Sequence, residues 1–148
     1  MNHQSQAYKA VLAIAALSSL GGAALAQDTD TPPKSGVQIE LNALQDQAGA
    51  CRLSFVAQNA GTTDIEEAVY ETVLFDREGQ VMMLTLFDFR DLPSERPRVR
   101  QFDLSDVACE DLGRVLINGA SQCQSGGGST LCTEGLSLSS RTDVELLG

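Results

Sequence analysis

Apolar and polar residues alternate with a period of two over most of the chain beyond residue 35, which is typical of strands that bury one face. Val37, Ile39 and Leu41, for example, alternate with polar neighbours. Residues 59–61 (Asn-Ala-Gly) and 76–79 (Asp-Arg-Glu-Gly) interrupt the alternation with turn-forming side chains. The pattern predicts about seven strands, at 37–41, 51–57, 65–75, 81–89, 98–104, 114–118 and 136–146, the last one bulged around 139–142.

The fold class follows from the number and spacing of these strands. No segment has a helical period long enough to predict a helix. The sequence therefore predicts an all-β domain, an immunoglobulin-like two-sheet antiparallel sandwich. Within the third strand, Ile65, Val69, Val73 and Phe75 share one parity, so we expect them to share a face.

The strand at 81–89 (VMMLTLFDF) is apolar on both faces. Its two parities hold Met82, Leu84 and Leu86 and, on the other side, Met83, Phe87 and Phe89. The favoured interpretation is a central strand that is covered on both faces. The alternative is an edge strand whose outward face binds a protein partner or a second copy of the chain, with Met82, Met83 and Phe87 as candidate contacts.

The first 26 residues have the three parts of a secretory signal peptide. A polar start with one lysine precedes an apolar run over 10–20, and Ala24 and Ala26 supply small residues before a cleavage point. We expect a signal peptide over 1–26, a disordered tether over 27–35 and a β-sandwich domain over 36–148, located in the periplasm or secreted. A membrane anchor is disfavoured because serine and glycine interrupt the run.

Removal of the leader makes the chain more acidic. With Lys9 gone, nine basic residues face all twenty Asp and Glu, a formal charge of −11. Nucleic acid and anionic lipid repel such a surface, so neither nucleic acid nor membrane is an expected partner after cleavage.

The four cysteines predict two disulfides, since an even count after a signal peptide indicates an oxidising compartment. Cys51 opens the second predicted strand, and Cys109 follows the strand that ends near Leu104. In a sandwich these strands are antiparallel neighbours, which brings the two cysteines within bonding distance. Cys123 and Cys132 flank a glycine-rich turn. We therefore expect Cys51–Cys109 and Cys123–Cys132, and no zinc site, because no C-x-x-C pair is present.

Residues 54–81 (SFVAQNAGTTDIEEAVYETVLFDREGQV) resemble the FxLYD-type domains of bacterial exported proteins. The triplet at 74–76 (Leu-Phe-Asp) and the following Gly79 match the hairpin of that family. Thr72 stands where the family has its Phe, and Phe75 replaces its Tyr. The resemblance covers roughly residues 54–104, under half of the chain, and implies a sandwich fold. It implies no activity, because the family has no known catalytic residues.

The expected mature chain has few side chains that could act in catalysis or bind a metal. The one histidine, His3, leaves with the leader, and Lys34 lies in the tether. The acidic pairs at 66–67 and 110–111 are adjacent in sequence, so their side chains point to opposite faces if the chain is extended. No calcium-loop series is present. The sequence predicts no catalytic residue, no metal and no cofactor, and so a protein that is not an enzyme.

Arg96, Arg98 and Arg100 share one face of an extended segment. They are candidates for a docking strip that binds an acidic partner through forked hydrogen bonds. The favoured alternative is internal pairing with the protein's own acids, for instance Glu67 and Glu71.

Together these patterns predict an exported, non-enzymatic binding or assembly module of the cell envelope or periplasm. Two other classes stay open, a periplasmic enzyme that relies on carboxylates and a purely structural envelope protein. A pocket with convergent carboxylates would favour the enzyme. A flat surface with an apolar strip would favour the module.

Overall fold

The structure, a computed structural model, describes residues 35–148. The predicted signal peptide and residues 27–34 of the predicted tether lie outside this range. Eight strands form the fold: β1 (Val37–Gln47), β2 (Ala50–Asn59), β3 (Ile65–Asp76), β4 (Val81–Leu92), β5 (Arg98–Ser105), β6 (Leu112–Ser125), β7 (Ser137–Ser140) and β8 (Glu145–Leu147). Two short 3₁₀ turns, at Cys109–Asp111 and Ser129–Cys132, flank β6.

The strands form two four-stranded sheets, which confirms the predicted all-β sandwich. The first sheet has the order β5-β2-β1-β7 and the second the order β4-β3-β6-β8. The prediction of purely antiparallel sheets is wrong at two edges, where β7 runs parallel to β1 and β8 parallel to β6. The immunoglobulin-like type stays a prediction.

The last predicted strand, 136–146, is two strands in different sheets. β7 pairs with β1 in the first sheet, the chain crosses over residues 141–144, and β8 pairs with β6 in the second sheet. The segment predicted to bulge is therefore a crossing between the sheets. This crossing closes one side of the sandwich, whereas the edge strands β4 and β5 face each other along the opposite side.

An aromatic cluster joins the two sheets. Phe55 of β2 lies 5.6 Å from Phe89 of β4 and 5.8 Å from Phe87, measured between ring centroids. Phe102 of β5 stacks on Phe87 at 4.2 Å, and Tyr70 of β3 meets Phe89 edge-on at 5.6 Å. Each ring buries a large apolar area, so this cluster is the central part of the core.

The expectation that Ile65 shares a face of β3 with Val69 and Val73 is wrong. The core contains Ile65, Ala68, Tyr70 and Leu74, and a register shift between Ile65 and Ala68 inverts the alternation. An extra residue in a strand moves all later side chains to the opposite face. Val69 and Val73 therefore lie on the outer face, although neighbouring side chains still bury them.

The turn at 59–61 is fixed by the side chain of Asn59, which is buried. Its amide nitrogen donates to the carbonyl oxygens of Thr63 (2.7 Å) and Leu92 (3.1 Å), and its oxygen accepts from the backbone N–H of Gly61 (2.9 Å). Asn59 thus ties the loop after β2 to the end of β4, and it satisfies backbone groups that burial would leave unpaired.

Both predicted disulfides are confirmed. Cys51 of β2 lies opposite Leu104 of β5 and bonds to Cys109, with the Cα atoms 4.9 Å apart. Cys123 of β6 bonds to Cys132, with the Cα atoms 5.9 Å apart.

The Tyr70 hydroxyl donates to the backbone oxygen of Cys132 at 2.8 Å, and burial raises the pKa of this hydroxyl above its ordinary value.

The two disulfides should contribute unequally to stability. Cys51–Cys109 closes a ring with a sequence separation of 58 and Cys123–Cys132 one of 9. In the chain-entropy model, replacing the first pair with Ala should lower the free energy of unfolding by about 4 kcal/mol and replacing the second pair by about 2.5 kcal/mol. Urea titration of the two double variants measures both losses. Equal losses, or a larger loss for the second pair, would contradict the ring-size argument.

Candidate protein-binding surface

β4 is an edge strand with an apolar outward face. Phe87 and Phe89 point into the core and are buried. The residues exposed on the outer side are Val81 (64%), Met82 (37%), Leu84 (59%) and Leu86 (53%). We call these four residues the β4 apolar face. The favoured interpretation of a central, doubly covered strand is thus wrong, and the alternative of an exposed edge strand is what the fold contains.

Of the three apolar partner-binding candidates, Met82 lies on this face and two do not. Met83 packs, partly buried, against the core, and Phe87 is buried in its stack with Phe102. Sequence analysis did not select Leu84 and Leu86 as candidate contacts. The signal that could have found them is the pair Phe87 and Phe89, because aromatic rings favour the buried parity of a strand.

The apolar surface continues from β4 onto the outer face of the second sheet. Leu84 lies opposite Val73 of β3, which in turn lies opposite Leu116 of β6. The next set of cross-strand neighbours contains a charged residue, since Leu86 lies opposite Glu71 of β3. The Glu71 carboxylate accepts a hydrogen bond from Asn118. The exposed apolar strip therefore has a charged border, as interaction surfaces on soluble proteins commonly do.

Two of the three candidate arginines join β5 to β4. Arg98 and Arg100 each contact the Asp91 carboxylate, at 3.1 and 3.0 Å. Arg100 also donates to the backbone oxygens of Phe89 (2.6 Å) and Asp91 (3.0 Å), and its side chain is only 18% exposed. These contacts connect the two sheets on the open side of the sandwich, beside the aromatic cluster.

The three arginines of the predicted docking strip therefore have different surroundings in the structure. Arg98 and Arg100 are used internally, but their acid is Asp91 rather than Glu67 or Glu71. Those two glutamates accept from amide side chains of β6 instead. Arg96 is exposed and makes no ion pair within the part of the chain that the structure describes.

The contacts of Arg98 and Arg100 with the Asp91 carboxylate, which we call the Asp91 clamp, change the electrostatics of Asp91. A hydrogen bond from Arg98, with the positive charges of Arg98 and Arg100, holds the pKa of this carboxyl below its ordinary value. A carboxyl whose pKa falls on folding stabilises the folded state above its ordinary pKa and loses that contribution as it is protonated.

A shallow cleft of about 430 Å³ lies between β4 and β5. Its lining combines apolar side chains, including Met83, Phe87 and Phe102, with polar ones, including Gln101 and Asp103. Within residues 35–148 no three acidic, histidine or cysteine side chains come together in an arrangement that could hold a metal ion. No helix in the same range is long and apolar enough to cross a membrane.

Comparisons with models of known protein families, with curated proteins and with solved structures found no match to this chain.

Replacing Arg100 with Met should destabilise the domain. The variant keeps the apolar stem but leaves the Phe89 and Asp91 carbonyl oxygens without their charged donor. We expect a loss of about 1–2 kcal/mol in the free energy of unfolding. Arg96→Met, which removes an exposed charge from the same segment, is the matched control and should change stability by less than about 0.5 kcal/mol. Equal, small changes in both variants would show that the clamp contributes nothing.

Asp91 should make stability depend on pH in acid. The difference in unfolding free energy between the wild type and Asp91→Asn should be constant from neutral pH down to about pH 5 and should shrink as the pH falls through the lowered pKa of Asp91. The reason is that protonated Asp91 resembles Asn in carrying no charge. Chemical unfolding across this range measures the difference. A difference that does not shrink in acid, or one that is absent at neutral pH, would contradict the assignment.

Proposed function

We propose that this protein is an exported, non-enzymatic binding module that engages another protein through the β4 apolar face. One observation carries the proposal: an edge strand exposes Val81, Met82, Leu84 and Leu86 side by side. Exposing such a row to water is costly in a free domain, and the cost is recovered when a partner covers it.

Export is supported by the cysteines and by the amino-terminal pattern. All four cysteines pair in two disulfides, which persist in oxidising compartments. The apolar run over 10–20 and the expected cleavage site after Ala26 indicate the export route, and the resemblance of residues 54–81 to FxLYD-type exported domains agrees with it. These features support a periplasmic or secreted location.

The two rival functions have less support. A carboxylate-based enzyme requires acids that converge in a pocket. The lining of the cleft between β4 and β5 contains one acid, Asp103, which pairs with Arg52. Asp91 is engaged with two arginines. A purely structural envelope protein would give no reason to leave Leu84 and Leu86 uncovered at an edge strand.

Photo-crosslinking in the producing cell tests the proposal. A photoreactive amino acid at position 84 should capture a discrete protein adduct, and the same residue at position 99 should not. Leu84 and Val99 are 59% and 62% exposed and lie on the two edge strands β4 and β5, so the pair is matched in accessibility.

The captured protein, identified by mass spectrometry and then purified, should bind the wild type and the Val99→Lys variant. It should fail to bind Leu84→Lys, because a lysine ammonium would be buried without a partner. Equal capture at both positions, or binding that survives Leu84→Lys, would refute the assignment of the surface.

A further inference from the structure

The two edge strands on the open side of the sandwich differ in how they resist pairing with another strand. β5 begins after Pro97 and carries Arg98, Arg100 and Asp103. Proline and charged side chains commonly protect an edge strand from pairing with other chains. β4 has no proline and no charge over residues 81–87, in a chain with twenty Asp and Glu. The β4 edge therefore lacks this protection.

The exposed part of β4 is also regular. From Met83 to Asp88 it pairs with β3 without a register shift, and the bulge that follows Asp88 places Arg90 at a φ of 58°. A regular edge presents its free backbone N–H and C=O groups as a template for one more strand. The unprotected residues and the regular stretch overlap from Met83 to Phe87, and Met82 lies at the register shift that precedes this stretch.

We infer that the partner of the β4 apolar face is a second copy of this chain, paired with β4 in the antiparallel direction about a two-fold axis at Leu84. The inference rests on the proposed function, because it names the protein that this face binds. The two second sheets, each of four strands, would become one continuous sheet across the interface.

About this axis, the outward side chains of β4 in one subunit match those of β4 in the partner subunit. Leu84 lies beside its own symmetry mate, and Met82 lies beside Leu86 of the partner subunit. Apolar side chains therefore face apolar side chains across the outer face, as cross-strand pairs require. An axis at Leu86 would instead place Leu84 opposite Asp88 of the partner subunit and Met82 opposite Arg90 of the partner subunit.

A strand added to β4 would also cover the open side of the sandwich. The cleft between β4 and β5, with Met83, Phe87 and Phe102 in its walls, opens beside the edge of β4. Phe102 is only partly buried there, although it belongs to the aromatic cluster. Removal of the exposed parts of Met83 and Phe102 from water adds to the driving force for pairing.

The net charge gives the pairing an unusual salt dependence. The full sequence carries a formal charge of −10, or −11 without the expected leader, so two copies repel each other, whereas the strand that pairs is uncharged over residues 81–87. Added salt screens the repulsion and leaves the apolar contact intact. The dimer should therefore become tighter as salt is raised, opposite to an association held by ion pairs.

Sedimentation of the chain, as the producing cell processes and exports it, tests the inference. The wild type and Val99→Lys should form dimers as concentration rises, more readily at high salt. Leu84→Lys should stay monomeric, because two ammonium groups would meet on the axis. Leu84 is exposed, so this variant keeps its fold, and an unchanged unfolding transition verifies that.

Cysteine variants test the register. Leu84→Cys should form a disulfide between subunits, since directly opposed Cβ atoms are about 4.5–5.5 Å apart. Leu86→Cys should not, because its symmetry mate lies about 13 Å away along the strand. A mixture of Met82→Cys and Leu86→Cys should form the mixed disulfide.

Each outcome bears on the inference in a different way. A dimer that is lost in Leu84→Lys and trapped by Leu84→Cys supports it. A monomer at every concentration, together with capture of a different protein at position 84 in the cell, overturns the dimer and leaves the proposed function standing. A monomer without any such adduct overturns both, and a dimer that survives Leu84→Lys overturns the pairing at β4.

Discussion

The aromatic cluster between the sheets is the constraint on which the surface of this protein depends. Phe87 and Phe89 of β4 contact Phe55 from the opposite sheet, so both must point inward. Side chains alternate along a strand, and the inward position of these two rings forces Leu84 and Leu86 outward. The apolar surface of β4 is thus a consequence of how the core is packed.

The two sheets are joined by different kinds of contact at the two long sides of the sandwich. On one side, β7 and β8 are joined by the crossing at 141–144, which carries the chain from one sheet to the other. On the opposite side, β4 and β5 are held together by Arg98 and Arg100 on Asp91 and by the stack of Phe87 on Phe102. A covalent connection therefore closes one side, and side-chain contacts alone join the other.

This asymmetry explains why the candidate surface lies where it does. Two of the three arginines that could have recognised an acidic partner, Arg98 and Arg100, join the sheets instead. β4 is left with an uncharged, regular edge and an exposed apolar row. Both proposals use this one strand, the first for binding a protein and the second for identifying that protein as another copy of the chain.

The sequence by itself determined the elements that depend on local or nearest-neighbour physics. Alternating residues predicted the strands of both sheets, and the position of Cys51 and Cys109 relative to neighbouring strands predicted their disulfide. Tertiary structure alone decided which strands are edges, how 136–146 divides between the sheets, and which face of β4 is buried. An edge is defined by the absence of a neighbour, and an apolar residue carries no local sign of whether its neighbour is the core or water. For the same reason the acid that binds Arg98 and Arg100, Asp91, could not be chosen from the many acids of the chain until the fold brought β4 beside β5.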